Sequence, residues 1–416
     1  MRLIYLLVFL PIITFLSCNT TDPTAEKTSI SLSIEDVSCT EAWVRIKTSD
    51  ISYPYYGILK VGSITENIKL LSSDTLLYID SLLPGNNYTF EFLSGIIQKN
   101  QTSTKTLDTT SHDFTWQSWT FGGGSSSELW DVNVINENDI WAVGQIFIPN
   151  TSGGEDMYNA VHWNGITWEP VKMIIKFRGS LICPEINGMT AFSPSDIWMA
   201  TGDPTNGDGK NWKDYDIRIL TGDDSLNTYK VWGFNSNEMY FGGMFGCLVY
   251  YNGQSWQKLE SGTTLRINDI YGAEDKIQNK KSVYCTLFDM IIKIDEKNNI
   301  SKIDCLPENY AASVWCKNLN RFYTSGPGIL EYVNDNLKNI TRFNDHIAIV
   351  KVRGTDYNNI IGVGALGYVV HFNGLSWQTY HTGNGAFTSV SVKDKIVAAV
   401  GWSDDSKALI TIGVRN

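Results

Sequence analysis

The acidic residues that come closest to a metal-binding pattern lie between positions 202 and 214, in the stretch GDPTNGDGKNWKD. Asp203, Asp208 and Asp214 belong to this stretch. A calcium-binding loop places oxygen ligands at alternate positions ahead of a glycine, and that register fails before Gly209. We therefore interpret the stretch as a turn, and we expect the protein to hold neither a metal ion nor a cofactor.

Other residues with reactive side chains follow no enzyme motif. The sequence contains no G-x-S-x-G, no H-E-x-x-H and no phosphate-binding glycine loop. His162 and His371 stand at matching places just before an N-G pair, so a repeat accounts for them. Cysteines without C-x-x-C spacing, mostly in apolar runs, are typical of buried thiols, and one disulfide stays open as an alternative. After Cys18 the cysteines are Cys39, Cys183, Cys247, Cys285, Cys305 and Cys316.

A repeat organises the chain from position 129 onward. Its most regular part is a strand that ends in small residues, seen as DIWAVG, DIWMATG, EMYFGG, SVYCTL, RFYTSG, NIIGVG and KIVAAVG. These strands recur about every 40 residues, near the period of about 40 to 45 that is typical of a four-stranded propeller blade. A G-x-x-W turn recurs in the same phase and ends at Trp168, Trp212, Trp256 and Trp377. We predict seven blades, in which the glycine turns the chain between the third and fourth strands and the tryptophan packs on the neighbouring blade.

The stretch FTWQSWTF, which carries Trp116, looks like a fourth strand but precedes the first unit. The seventh unit has three strands and then the chain ends. We predict that the early strand completes the last blade and closes the ring, which removes an unpaired sheet edge. A linear solenoid is the alternative, and it leaves this strand unexplained.

These features together resemble seven-bladed β-propellers. The G-x-[ST]-W turn is also similar to the second half of the Asp-box of sialidase-type blades. The Asp position of that box holds Trp163, Gly207, Tyr251 or Phe372 here. The resemblance therefore implies the turn without its Asp network, and the arginines are too few for a sialidase-type site.

A smaller domain precedes the repeats. Leu82, Pro84, Gly85 and Tyr88 resemble the L-x-P-G-x-x-Y signature of fibronectin type III domains, in which the tyrosine hydroxyl bonds back to the preceding turn. The resemblance implies a β-sandwich over residues 28–108, followed by the propeller over residues 113–416. We expect an all-β protein in which the sandwich acts as a spacer.

The N-terminus indicates export. Residues 1–17 combine a positive start with an apolar run that is short for a membrane span. Cys18 follows in FLSC, which resembles the bacterial lipoprotein signal and implies a lipid on Cys18, with residues 18–27 as a tether. Phe15 and Leu16 depart from that signal, and an ordinary secretory signal is the alternative. We expect a lipid-anchored protein of the bacterial cell envelope, at the outer membrane or the cell surface.

The charge excludes one class of partner. With 33 basic and 44 acidic residues the net charge is −11, which repels nucleic acid. As a whole the chain resembles bacterial envelope lipoproteins that join a fibronectin-like module to a propeller, and this resemblance implies no activity.

We expect a monomeric, non-enzymatic binding or scaffold protein whose ligand is a glycan or an envelope protein. A secreted carbohydrate-active hydrolase or lyase and an envelope assembly factor are the alternatives. Two segments, Phe147 to Asn159 and Asp203 to Trp212, are expected to be the longest loops and to supply the binding residues, and insertions without a binding role are the alternative. The candidates are Glu155, Asp156, Tyr158, Asp203, Asp208 and Trp212.

Overall fold

A computed structural model describes residues 28–95, 100–275, 278–305, 310–319, 321–333, 336–341 and 348–416. The export signal, Cys18 and the tether lie outside the described residues. Regular structure is almost entirely β-strand, with one short helix, α1 (Ile217–Thr221), and two single 3-10 turns, Met244–Gly246 and Ala365–Gly367, in the described ranges. The chain divides into two compact units, which hold strands β1–β7 and β8–β37 as defined below.

The first unit is a sandwich of two antiparallel sheets, ordered β1-β2-β5 and β4-β3-β6-β7. Its strands are β1 (Ser29–Val37), β2 (Ala42–Ser49), β3 (Tyr55–Val61), β4 (Ile64–Leu70), β5 (Asp74–Ile79), β6 (Asn87–Leu93) and β7 (Asn100–Lys105). Alternate side chains of the two sheets, among them Val44, Leu59 and Phe90, meet in a shared apolar core. Tyr88 lies in β6 and is half-buried. Membership of the fibronectin type III family stays a prediction.

The second unit begins with β8 (Phe114–Phe121) and continues as seven four-stranded antiparallel sheets, or blades. Blade 1 consists of β9 (Glu128–Asn136), β10 (Asp139–Pro149), β11 (Glu155–Trp163) and β12 (Trp168–Val171). Blade 2 consists of β15 (Gly188–Ser193), β16 (Asp196–Ala200), β17 (Pro204–Gly207) and β18 (Trp212–Asp214). Blade 3 consists of β19 (Thr228–Asn235), β20 (Glu238–Gly243), β21 (Leu248–Tyr251) and β22 (Trp256–Lys258). A separate hairpin, β13 (Ile175–Phe177) and β14 (Ser180–Ile182), connects blades 1 and 2.

Blades 4 to 7 continue the pattern. Blade 4 consists of β23 (Asp269–Asp275), β24 (Lys280–Thr286), β25 (Met290–Asp295) and β26 (Ile300–Asp304), and blade 5 of β27 (Ser313–Cys316), β28 (Arg321–Gly326), β29 (Gly328–Val333) and β30 (Asn336–Asn339). Blade 6 consists of β31 (Ile349–Asp356), β32 (Asn359–Gly364), β33 (Tyr368–Phe372) and β34 (Trp377–His381). Blade 7 consists of β35 (Ala386–Lys393), β36 (Ile396–Trp402), β37 (Ala408–Arg415) and the early strand β8. Each of the seven sequence repeats thus supplies the second strand of one blade.

The first strand of each blade contacts the first strands of both neighbours, and β35 of blade 7 contacts β9 of blade 1. The seven blades therefore form a closed ring around a central channel, and the predicted seven-bladed propeller is confirmed. Apolar side chains fill the spaces between blades. Between blades 7 and 1, for example, Val400 and Ile410 join Val132 and Val161 in one buried cluster.

The early strand closes the ring as predicted. β8 pairs with β37 from Phe121 opposite Ala408 to Phe114 opposite Arg415. Trp116 stands opposite Gly413, and a Cβ atom on residue 413 would lie 2.3 Å from the indole ring. The glycine is therefore required for the tryptophan to lie flat on the strand.

Two faces of the propeller follow from the antiparallel order of the strands. The turns between first and second strands and between third and fourth strands lie on one side, which we call the turn face. The turns between second and third strands and the connections from blade to blade lie on the other side, the loop face. The G-x-x-W turns all lie on the turn face, where Gly165, Gly209, Gly253 and Gly374 adopt φ of 90°, 83°, 87° and 97°. Such φ values favour glycine, which explains the first residue of the motif.

Candidate binding face

The structure does not bring the six predicted binding residues together. Glu155, Asp156 and Tyr158 lie on strand β11, because the expected loop is a long hairpin whose turn spans only residues 150–154. The Glu155 carboxylate accepts hydrogen bonds of 2.7 Å from the backbone N–H and from Oγ of Ser125. These bonds hold the segment ahead of blade 1 and occupy the side chain.

The expected loop from Asp203 to Trp212 is likewise strand β17, a tight turn and the start of β18. Asp208 lies in that turn, where its Oδ1 accepts hydrogen bonds from the N–H groups of Lys210 and Asn211 at 3.0 and 2.7 Å. These bonds lower the pKa of Asp208 to about 2. Asn164, Asn252 and Asn373 make the same bonds in the other G-x-x-W turns. Asp208 is thus the turn-forming residue of blade 2 and lies on the turn face with Trp212.

Asp203 is completely buried and accepts a hydrogen bond of 3.0 Å from Nε of Arg178, at the tip of the β13–β14 hairpin. Burial raises the pKa of Asp203, and Arg178 opposes this effect. Burial and the nearby Asp203 raise the pKa of Asp214 to about 6. Because Asp203 has no access to solvent, we interpret this cluster as the anchor of the hairpin rather than as a site for a substrate.

The tryptophans of the G-x-x-W turns take part in aromatic clusters. The Trp256 ring lies 6.3 Å from that of Trp198 in the neighbouring blade 2. Trp168 lies 6.0 Å from Trp119 of the closing strand β8. Trp377 stacks on Phe372 within its own blade at 5.0 Å.

A cavity of about 580 Å³ opens on the loop face at the mouth of the central channel. Cationic, amide and aromatic side chains dominate its wall, and the described residues of the wall include no carboxylate. They are Trp130, Asn187, Lys230, Arg266, Asn268, Phe288, Tyr310, Ala312, Val350, Lys351 and Thr388. All but Phe288 lie in the first three residues of an inner strand or in the three residues before one, and ring closure places these segments side by side.

Below the cavity, a buried ion cluster links blades 4 and 6. Asp269 accepts hydrogen bonds from Nζ of Lys351 at 2.6 Å and from both terminal nitrogens of Arg353 at 2.9 Å. Burial raises the pKa of Asp269, but Arg353 and Lys351 outweigh burial and hold it well below its ordinary value. One carboxylate therefore serves two cations.

Lys230 and Arg266 have no carboxylate partner among the described residues. Nζ of Lys230 donates to the carbonyl of Asn187 at 3.2 Å, and the Arg266 guanidinium lies 5.5 Å from the centre of the Tyr229 ring. Burial and the nearby charge of Lys351 lower the pKa of Lys230 to about 8. The mouth of the channel is thus positively charged in a protein whose net charge is −11.

In the propeller, exposed large apolar side chains are concentrated on the loop face, and two of them, Phe288 and Val350, line this cavity. Those of the loop face are Ile174, Leu181, Ile219, Leu220, Met244, Phe245, Leu265, Phe288, Val350, Leu366 and Trp402. At or near the turn face, the exposed large apolar residues are Ile166, Phe192, Leu375 and Val414. An exposed apolar surface concentrated on one side of a domain is typical of a surface that binds another molecule.

Two of these residues also have an unfavourable backbone. Phe245 and Leu366 occupy equivalent turns of blades 3 and 6 with φ of 55° and 56°, a region in which bulky residues are rare. Their side chains are 76% and 68% exposed, so no internal packing compensates the strain. Blade 4 presents Phe288 from its corresponding turn, 66% exposed and stacked on Tyr310 with ring centres 5.5 Å apart. Backbone strain that packing does not explain is often found at functional positions.

The channel mouth was not among the sites expected from the sequence, although the first strands carry a weak signal for it. Lys230 and Lys351 stand near the start of the first strand of their blades, and Arg266 stands just before one. Comparing the first strands of the blades would have shown a lysine as the third residue in two of them, Lys230 and Lys351. Within the described ranges, no group of three or more His, Cys, Asp and Glu side chains could hold a metal ion. No helix in that part of the chain is long and apolar enough to cross a bilayer.

Comparisons with known proteins support the fold alone. No protein-family model and no curated protein matches the sequence. A solved structure described as YCF48 bound to D1 peptide is similar over 74% of this chain and 100% of its own, with a TM-score of 0.53 and 11% identity. The RRP9 WD40 repeats are similar over 74% of this chain and 99% of their own, with a TM-score of 0.49 and 9% identity.

PorZ, described as a bacterial surface component of the type-IX secretion system of Porphyromonas gingivalis, is similar over 93% of this chain and 57% of its own. Its TM-score is 0.49 and its identity is 10%. Of these three likenesses only the first has a TM-score above 0.5, and it agrees with the propeller fold described above.

Proposed function

We propose that the protein is a non-catalytic binding protein whose loop face holds a segment of a partner protein. The observation that carries this proposal is the exposure of Phe245, Phe288 and Leu366 on the same face of three blades, where Phe288 also lines the cavity. Aromatic and large apolar side chains supply most of the binding energy at protein interfaces. The likeness to a propeller described as bound to a peptide gives a precedent for this use of the fold.

We further propose that the protein works at the bacterial cell envelope, held by a lipid on Cys18. The sandwich then acts as a spacer between the membrane and the propeller. The proposal rests on the sequence of residues 1–27. A protein ligand is proposed rather than a glycan, because the exposed large residues of the loop face are apolar and aromatic, whereas Glu155, Asp203 and Asp208 are engaged in hydrogen bonds of the fold.

Site-specific photo-cross-linking tests the binding face. A benzophenone amino acid replaces Phe245, Phe288 or Leu366 in the full chain, expressed in its source cells. Ile166 and Leu375 serve as matched controls, because they are equally exposed but lie in turns of the opposite face. We expect the same cross-linked partner from the three loop-face positions and none from the controls. Equal cross-linking from both faces, or none from the loop face, would contradict the proposal.

A further inference from the structure

The mouth of the channel carries more positive charge than the protein itself neutralises. Lys351 shares Asp269 with Arg353. Lys230 and Arg266 pair with no carboxylate in the described part of the chain, although both line the same cavity as Lys351. Asp131, which lies deeper in the channel, accepts hydrogen bonds from the neutral groups Met189 N–H and Ser389 Oγ at 3.0 and 2.6 Å. Two positive charges are therefore left facing the cavity.

Holding these cations together has an energetic cost. Burial and the charges of Lys351 and, more weakly, Arg266 disfavour the charged form of Lys230, while the carboxylates of Asp131 and Asp269 oppose this effect. A like charge nearby and partial burial both disfavour the charged form of an amine. An anion bound in the cavity would remove this cost, since it would face all three cations at once.

We infer that Lys230, Arg266 and Lys351 form an anion site that receives a carboxylate group of the bound polypeptide segment. This inference rests on the proposed function and names the chemistry of the partner. The segment is acidic at the point that enters the cavity. It is apolar or aromatic on either side, where it meets Trp130 and the stacked Phe288 and Tyr310. The carboxylate comes from an Asp or Glu side chain or from the end of the chain.

The cavity suits such a ligand in size and surroundings. Its volume of about 580 Å³ exceeds that of a single side chain and falls in the range of about 300 to 1,000 Å³ that is common for ligand sites. Asn187 and Asn268 in the wall offer amide groups that can bond the backbone of an extended segment. A concave site with charge of one sign also concentrates ligands of the opposite charge.

Lys230 makes the site sensitive to pH in a way that a variant can isolate. Its pKa of about 8 means that it loses its charge as the pH rises from 7 to 9. Affinity for a carboxylate should fall over this interval in the wild-type protein. Arginine keeps its charge throughout. The Lys230→Arg variant should therefore retain its affinity at pH 9.

The test uses full-length protein and a dye-labelled decapeptide of alternating Glu and Phe, with binding followed by fluorescence anisotropy. One matched peptide has Gln in place of Glu, and another has an amidated C-terminus. We expect the Gln peptide, and the Lys230→Gln or Arg266→Gln variant with the Glu peptide, to bind at least about tenfold more weakly. The amidated peptide shows whether side-chain or terminal carboxylates are responsible.

Lys393→Gln is the control variant, because Lys393 lines the same channel from its opposite end and is exposed. It should bind like the wild type. Thermal unfolding checks that each variant folds. If Lys230→Gln does not fold, the pH profile of Lys230→Arg tests whether Lys230 belongs to the anion site. Equal affinity for the Glu peptide and for a Gln peptide with an amidated C-terminus would overturn the anion site. If cross-linking from Phe245 nevertheless succeeds, the binding face stands and only the anion site is wrong.

Discussion

His112 and His371 show how one repeated position acquires different chemistry. The two Nδ1 atoms are 2.9 Å apart, so one proton lies between them, and Nε2 of His112 lies 3.1 Å from Oγ of Ser376. His162, at the matching place in blade 1, instead contacts Asp139 at 2.9 Å. The sequence repeat explains why histidines occur there. It gives no information about the partner, because His112 comes from the segment before β8.

The histidine pair should make the fold sensitive to acid. Burial, together with the charges of His112 and Arg415, lowers the pKa of His371 to about 3, below its ordinary 6.5. The unfolded chain therefore binds the proton first, so the stabilisation is complete above pH 6.5 and is lost as the pH falls towards 3. Between pH 6.5 and 5 we expect a loss of about 2 kcal/mol, measured by urea unfolding.

In the His371→Gln variant this dependence on pH should be flatter, whatever the effect of the substitution at neutral pH. His381→Gln is the control, because His381 is exposed and belongs to the same blade. An unchanged slope in His371→Gln would show that other groups cause the acid sensitivity.

The closing strand β8 depends on a local fit that the sequence shows only after the partner is known. Trp116 stacks on Phe114 at 5.3 Å and lies over Gly413 of β37. Ser118 Oγ and Thr411 Oγ1, also in the two strands, are 2.7 Å apart. The contact between first and last strand is therefore specific in its side chains as well as in its backbone pairing.

Replacing Gly413 by Ala should weaken the ring. The new methyl group would lie 2.3 Å from the indole of Trp116, so the ring or the strand must move. Overpacking of this kind costs about 1 to 3 kcal/mol. Denaturant unfolding measures the loss. Gly154→Ala is the control, since its nearest neighbour would be 3.6 Å away. Equal stability of the two variants would mean that Trp116 adapts freely.

Elements with a local signature were predictable, and those without one were not. The second strands repeat apolar residues in every unit, and the G-x-x-W turns repeat a left-handed glycine in four units. Strand β17, Pro204–Gly207, has no apolar alternation and is held by backbone pairing to β16, so its segment was wrongly expected to be a loop. The cations of the channel mouth meet only through closure of the ring. No stretch of sequence contains that information.

At the scale of the whole molecule, charge is distributed unevenly. The protein carries a net charge of −11, yet its described channel mouth presents Lys230, Arg266 and Lys351. General electrostatic attraction therefore does not favour acidic partners. A partner gains from the cations only once it enters the cavity, and this favours selection by shape and charge together.

Lipid attachment is a prediction for the whole molecule. Wild-type protein should be recovered with membranes and should incorporate a labelled fatty acid, because two or more acyl chains give stable anchoring. In Cys18→Ser the label should be lost and the protein should become soluble. Cys183→Ser is the matched control, since Cys183 belongs to the propeller. A Cys18→Ser protein that stays in the membrane fraction would refute the anchor.

Ring closure also has a consequence for biosynthesis. The ribosome makes β8 before any other strand of the propeller, and its partner β37 last. Throughout translation, β8 therefore has an unpaired edge of the kind that promotes aggregation. A polypeptide that stops before Ala408 never covers this edge, so incomplete products stay exposed to proteases while full-length chains become protected.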